Sequence, residues 1–449
     1  MSQQKRDMTS GKILPQLILF ALPLLGSSLV QQMYNTADLL FVGNFAGKTA
    51  AAAVGSCGLI FTCLIGLFTG ISVGVGIVIA QAWGADKKEE AQKTVQTAMV
   101  ISFCGSIVLM GVGLCVADKI LVLLQTPKEI LGEAVIYVKI YFLSMVPMVL
   151  YNMGSSILRA CGESKTPFYI LIAGSITNII ADAVLVAVFR LGVAGAAIAT
   201  SISQTVSAVC MVWYLMSSHS RLRLSLKQIH IESGLLKKIL NYGLPAGIQA
   251  VVVTISNVMV QYYINGYGED AVASYAAYFK IEDFIYLPVM ACGQAIMTFV
   301  GQNYGAGCYQ RIKKGTFEGL MLSYAIAVAV AAVILAMPEK IVGLFIKDHA
   351  VIAYGVSILR TTFPLYWLCA TLEVMGGVLR GMGYSHVTMA TVLTGLCAFR
   401  ISLLYFINRM ELGFYAVASV YPMTWVATSI GLIVGFLVIM RKQEKRKMC

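Results

Sequence analysis

The chain has 449 residues, 58% of them hydrophobic and 12% charged, with a formal net charge of +12. A soluble chain carries about 25% charged residues, so this composition excludes an ordinary water-soluble domain and points to a polytopic membrane protein. Eleven scattered cysteines without a CxxC pair and four histidines without ligand spacing argue against a disulfide framework or a metal centre. No GxxxxGK[ST] phosphate loop is present, which disfavours an ATP-driven pump.

The start, MSQQKRDMTSGK, is polar and basic and reads as a retained inner tail rather than a cleaved leader. Twelve apolar spans follow, near 14–41, 52–81, 94–117, 133–158, 167–189, 193–217, 238–264, 272–300, 316–337, 352–379, 386–408 and 413–440. The stretches 94–117, 319–338 and 412–440 contain no Asp, Glu, Lys or Arg. A helix of roughly 20 apolar residues crosses a hydrocarbon core of about 30 Å, whereas spanning strands alternate over about 10 residues. That alternation is absent, so the expected fold is an all-α polytopic membrane protein. Lys and Arg concentrate in alternate loops, among them Lys5/Arg6/Lys12, Lys87/Lys88/Lys93, Arg221/Arg223/Lys227, Arg311/Lys313/Lys314 and the tail RKQEKRK. The positive-inside rule then puts both termini in the cytoplasm of a cell whose inner or plasma membrane holds the chain. It also accounts for the surplus charge without nucleic acid.

Within the first span Pro23 lacks the N–H of a helical residue and is expected to bend it. Pro147, Pro245, Pro288 and Pro364 lie inside later spans in the same way. The chain also repeats itself. FALPLLGS at 20–27 resembles YGLPAGIQ at 242–249, AQAWGADKKEEAQK resembles GQNYGAGCYQRIKK, and LRACG resembles LRGMG. Pro23 and Pro245 stand 222 apart, Gln81 and Gln302 221, and Arg159 and Arg380 221. Six spans per half return the chain to its starting side, so the repeats are parallel. The expected organisation is an amino-terminal six-helix lobe at 1–216, a basic cytoplasmic linker at 217–238 and a carboxy-terminal six-helix lobe at 239–449. The two pseudo-symmetric bundles would flank a central cleft that opens alternately to each side. Gln81, Gly84, Gln302, Asn303 and Gly305 flank inner loops and read as structural loop–helix joints.

Intramembrane carboxylates are the candidates for chemistry, because a charge near the bilayer centre costs at least a few kcal/mol. Asp38 lies in YNTADLLFVGNF near the end of the first span, and its counterpart 222 residues on is Val260. The second half does without that carboxylate, so the helix does not need it. TNIIADAVLV places Asn178 and Asp182 four residues apart, on one helix face, and Thr200 adds a hydroxyl from the sixth span. Two neighbouring carboxylates in a low dielectric do not both stay charged cheaply, so the set suits a proton or a small hard cation such as sodium. In the second half, Lys280, Glu282, Asp283, Glu373 and Arg400 are expected to pair internally, or else Glu282 or Glu373 meets a cationic substrate. Gln31, Tyr34, Tyr151, Met153, Glu282 and Glu373 are the candidates for a substrate cleft, since aromatic and methionine-rich walls suit flat amphipathic cations. No nucleophile or metal constellation indicates an enzyme, and neither a cofactor nor an obligatory protein partner is expected.

LPLLGSSLVQQMYNTADLLFVGNFAG, AQAWGADKKEEAQK, LRACGESKTPF, GQNYGAGCYQRIKK and GGVLRGMG together resemble the MATE (multidrug and toxic compound extrusion) family over nearly the whole length, with the prokaryotic DinF-like branch the nearest in pattern. The resemblance implies twelve helices in two lobes and drug export coupled to inward proton or sodium flow. It places Asp38, Asn178, Asp182 and Thr200 at an amino-lobe cation site. The seventh span, AGIQAVVVTISN, lacks the acid that some relatives carry there. The rival reading within the wider superfamily is a flippase for a lipid-linked precursor, which predicts a cationic first lobe rather than an acidic one.

Overall fold

The structure, a computed structural model, describes residues 8–47, 50, 53–55, 57–123, 126–225, 227 and 230–448, with the side chains of 59–64 and 446–448 outside that description. Lys5 and Arg6 of the amino-terminal basic cluster, and the side chains of Arg446 and Lys447, therefore lie outside it. Among the described residues there is no strand. The helices are α1 (Ile13–Phe41), α2 (Gly58–Gly84), α3 (Lys88–Leu123), α4 (Lys128–Leu143), α5 (Met145–Ala160), α6 (Lys165–Asp182) and α7 (Gly192–Met216) in the first repeat. The second contains α8 (Ser233–Asn265), α9 (Glu269–Gly305), α10 (Tyr309–Ala336), a single turn α11 (Pro338–Gly343), α12 (His349–Thr362), α13 (Tyr366–Gly381), α14 (Ser385–Val392), α15 (Phe399–Arg409) and α16 (Phe414–Met448).

Among the described residues, eleven helical segments are long and apolar enough to cross a membrane, and α4 with α5, bent by 48°, count as a twelfth if taken as one span. The bend has a local cause. Pro147 has no N–H to offer Leu143, so the helical ladder breaks at Ser144 and restarts with Met148 donating to the Ser144 carbonyl at 3.0 Å. The second repeat interrupts the same helix with a tight turn at Phe363–Leu365, which contains Pro364. The prolines differ in register by one turn, yet both repeats break here. Large apolar side chains such as Leu19, Leu22, Val108, Trp213, Val333 and Val438 face outward, as a lipid-facing surface requires.

The residues group into two units: one of Pro23–Gly243, the other of Asp7–Leu22 together with Leu244–Cys449. The divisions fall at Pro23 and next to Pro245, the equivalent residues of the two repeats. In the first unit the segment that links the repeats is tied down rather than loose. Arg221 donates to the Cys161 carbonyl at 2.7 Å, Gln92 brackets the Arg223 backbone, the Glu232 N–H reaches the Thr97 hydroxyl at 3.2 Å, and Lys238 pairs with Glu90 at 2.7 Å. The second unit treats residues 8–16 likewise. Gln302 and Asn303 bond the backbone of Met8 at 3.0 Å each, and Arg311 donates to the carbonyls of Met8, Ser10 and Gly11 and to the Gln16 amide oxygen. The loop–helix joints of the repeated motif thus hold the start of a first helix.

Within the second unit α9 and α13 cross at Gly293 and Gly377, where a Cβ on Gly377 would stand 2.4 Å from the Gly293 carbonyl oxygen. Small residues let the backbones approach this closely. Ser72 and Ser156 occupy the equivalent crossing of α2 and α5, joined by a 2.5 Å hydrogen bond from the Ser156 hydroxyl to the Ser72 carbonyl.

Candidate functional site

Asp38 lies in the last turn of α1 and Asp182 ends α6. Each is followed by a wide π-helical turn, Val42–Ala46 and Ala183–Val188 respectively. Such turns carry an extra residue and recur at functional sites. The two π turns pack on each other and on α7, which brings the ends of the first, fifth and sixth spans together inside the first unit. Asn178 stands one turn before Asp182 on the buried face of α6, and Thr200 comes from α7. Asn178 and Asp182 are 0% exposed, Thr200 3% and Asp38 8%. Asp182 is within electrostatic range of Asp38. Tyr34, one turn before Asp38, lies within range of Asp38, Thr200 and Asp182, and Tyr137 and Tyr141 of α4 also lie within range of Asp38.

Among the described residues, six buried polar atoms here have no hydrogen-bond partner: Asp38 Oδ1, both carboxylate oxygens of Asp182, both amide heavy atoms of Asn178 and the Thr200 hydroxyl. Buried polar atoms are almost always bonded, because an unmet group costs its desolvation. A cluster of unmet oxygen donors around two carboxylates is the donor set of a proton or a hard monovalent cation, and the residues fit either. Among the described residues no group of three or more His, Cys, Asp or Glu gathers. Ser175 extends the same face of α6, also buried and without a partner, and sequence reasoning passed over it and Tyr137. The 175/178/182 spacing carried the signal for Ser175; nothing in the sequence brought Tyr137 to Asp38.

The cleft candidates do not gather around this cluster as a group. Tyr34 belongs to it and Gln31 is half-buried on α1. Tyr151 and Met153 are enclosed in the apolar core of the first unit, with the Tyr151 hydroxyl donating to the Pro167 carbonyl at 3.1 Å. Glu282 and Glu373 lie in the second unit. The internal ion pairing expected there is corrected for Glu282, Glu373 and Arg400: among the described residues no ion pair within 4.0 Å involves any of the three, and Lys280 is exposed. Hydroxyls and an amide serve instead. Tyr366 donates to Glu282 at 3.1 Å, Tyr286 to Glu373 at 3.4 Å, and Arg400 donates to Asn257 at 2.8 Å. These groups stand on different helices, and neutral partners reach each one first.

The MatE family model matches twice, over residues 23–184 and 245–406, limits that are 222 residues apart. The chain belongs to the MATE family. This MATE protein is therefore a member of a transporter family, a multi-pass helical membrane protein built from a duplicated half. It is 30% identical over 372 residues to the probable multidrug resistance protein YoeA of Bacillus subtilis (strain 168), covering 81% of this chain and 80% of that one. It is 23% identical over 422 residues to the multidrug export protein MepA of Staphylococcus aureus (strain NCTC 8325 / PS 47), covering 94% and 92%. A solved structure of MATE in the bent conformation superposes with a TM-score of 0.91 at 21% identity, over 100% of both chains, which shows the shared fold.

Proposed function

We propose that this chain is a secondary-active exporter of drug-like compounds, mostly amphipathic organic cations, driven by inward flow of protons or sodium through Asp38 and Asp182. The observation that carries this reading is the set of unmet polar atoms on Asp38, Asn178, Asp182 and Thr200. A bound proton or sodium ion there offsets one of the two buried negative charges, and it shifts the balance between two conformations only by its differential affinity for them. Tyr34 stands where its hydroxyl can support the bound ion. The half-buried Gln31, Glu282 and Glu373 are the residues we assign to substrate contact. The chain works in the cell membrane with both termini inside, and its two conformations open the substrate site to one side of the membrane and then to the other. The names of relatives such as YoeA and MepA support drug export. Two carboxylates in the first unit disfavour a flippase for a pyrophosphate-linked lipid, which needs cations there.

The test is ethidium efflux from cells or inverted vesicles under separately imposed pH and sodium gradients. Wild-type protein is expected to respond to one of them. Asp38→Asn and Asp182→Asn, checked for membrane insertion, are expected to abolish the response. Gradient-driven efflux at the wild-type rate in both variants would defeat the proposal.

A further inference from the structure

The second unit carries a buried charge that the transport reading does not use. Arg400 of α15 is 3% exposed, follows the π turn Leu393–Ala398, and occupies the position equivalent to Asn178 by the 222-residue offset. By the same offset Ser256 and Asn257 stand for Tyr34 and Asn35, while Val260 and Leu404, both fully buried, replace Asp38 and Asp182. The duplicated frame therefore puts a guanidinium where the first unit has the Asn178 amide, and apolar residues where it has its two acids.

That guanidinium is incompletely met. Its Nη1 donates to Asn257 Oδ1 at 2.8 Å and to the Ser256 hydroxyl at 3.5 Å, and its Nη2 to the Thr424 hydroxyl at 3.4 Å. All three acceptors are neutral, and two of the bonds are long. The Nε–H is buried, with no partner among the described residues. The Tyr421 ring covers one guanidinium face at 4.9 Å. Among the described residues no carboxylate lies within ion-pair distance, and Glu282 acts on Arg400 only at longer range. Arginine does not lose its proton in a protein, so a buried one needs compensating negative charge.

We propose that the second unit binds a small monovalent anion, a halide or a carboxylate group, against the Nε edge of Arg400 and the Asn257 amide nitrogen. One cation and neutral donors set the charge of the ligand at one, and Glu282 disfavours anything more highly charged. The Ser256 hydroxyl already donates to the Leu396 carbonyl at 2.9 Å and Thr424 to the Tyr421 carbonyl at 2.9 Å, so both are held as acceptors for Arg400 rather than as donors to the ligand.

The experiment is thermal unfolding of the purified full chain at constant sodium and constant ionic strength, with gluconate replaced stepwise by chloride, bromide or acetate. A saturable rise in the unfolding midpoint with a halide, with acetate, or with both is expected; the responding anion tells halide from carboxylate. Arg400→Gln should flatten the response. Asn257→Ala, a milder change at a half-buried residue, should weaken the apparent affinity by about tenfold. Glu282→Gln removes the opposing charge and should tighten it. A crystal grown in bromide should show an anomalous peak beside Arg400 Nε in the wild-type protein, independently of whether Arg400→Gln folds. No saturable response, a response undiminished in Asn257→Ala and Arg400→Gln, no tightening in Glu282→Gln, or bromide only elsewhere would each overturn the proposal.

Discussion

Asp182 has both carboxylate oxygens buried, and among the described residues nothing bonds to them, so it is a residue that burdens the fold it sits in. Replacing it with the isosteric Asn removes a charge without breaking any recorded bond. Asp182→Asn is therefore expected to unfold no lower than the wild type in a thermal melt, while gradient-driven efflux is lost. A structural acid would behave in the opposite way, losing stability in the variant. Asn178→Ala takes away one donor atom and leaves both carboxylates, so it should weaken coupling without abolishing it, seen as a higher ion concentration for half-maximal efflux. At this scale the sequence was informative because the second repeat serves as a control: Val260 and Leu404 stand where the acids are, so neither acid is needed to build a helix.

At the scale of helices, the repeated motifs prove to be attachment points. Arg311 fixes the backbone of residues 8–11 through three carbonyls. Arg311→Ala should raise amide hydrogen exchange in residues 8–16 by about tenfold or more, equivalent to about 1.4 kcal/mol of local stability. The α9–α13 crossing leaves no room beside Gly377. Gly377→Val is expected to cost about 1–3 kcal/mol, measured as a lower midpoint in a thermal melt. Pro23 lies inside the continuous helix α1, at the division between the two units, and the Ser27 hydroxyl donates to its carbonyl at 2.8 Å. Pro23→Ala restores an N–H to that turn and should stiffen it, lowering the efflux rate while ion-dependent stabilisation of the purified protein is retained. The break before α5 could be placed from Pro147 in the sequence. The π turns after Asp38 and Asp182 could not, because an extra residue in a helix leaves no compositional mark.

For the whole molecule, reporter fusions test the orientation: a carboxy-terminal fluorescent protein should mature and a carboxy-terminal alkaline phosphatase should stay inactive. The helical class, the number of spans and the duplication were legible from apolar run length, missing charges and the near-constant 221–222 offset, because the bilayer requires every backbone bond to close within its own segment. The candidates for ion chemistry were legible because charges are rare in such spans. Only the tertiary structure decided which polar groups lack partners, that Tyr137 and Ser175 attend the acidic cluster, that Tyr151 and Met153 are core, and that Glu282, Glu373 and Arg400 bond to neutral groups instead of one another. The reason is physical: a residue's place along a helix is local and visible in its spacing. Whether its side chain finds a partner depends on what another helix, more than a hundred residues away in the case of Arg400 and Asn257, brings to the same spot.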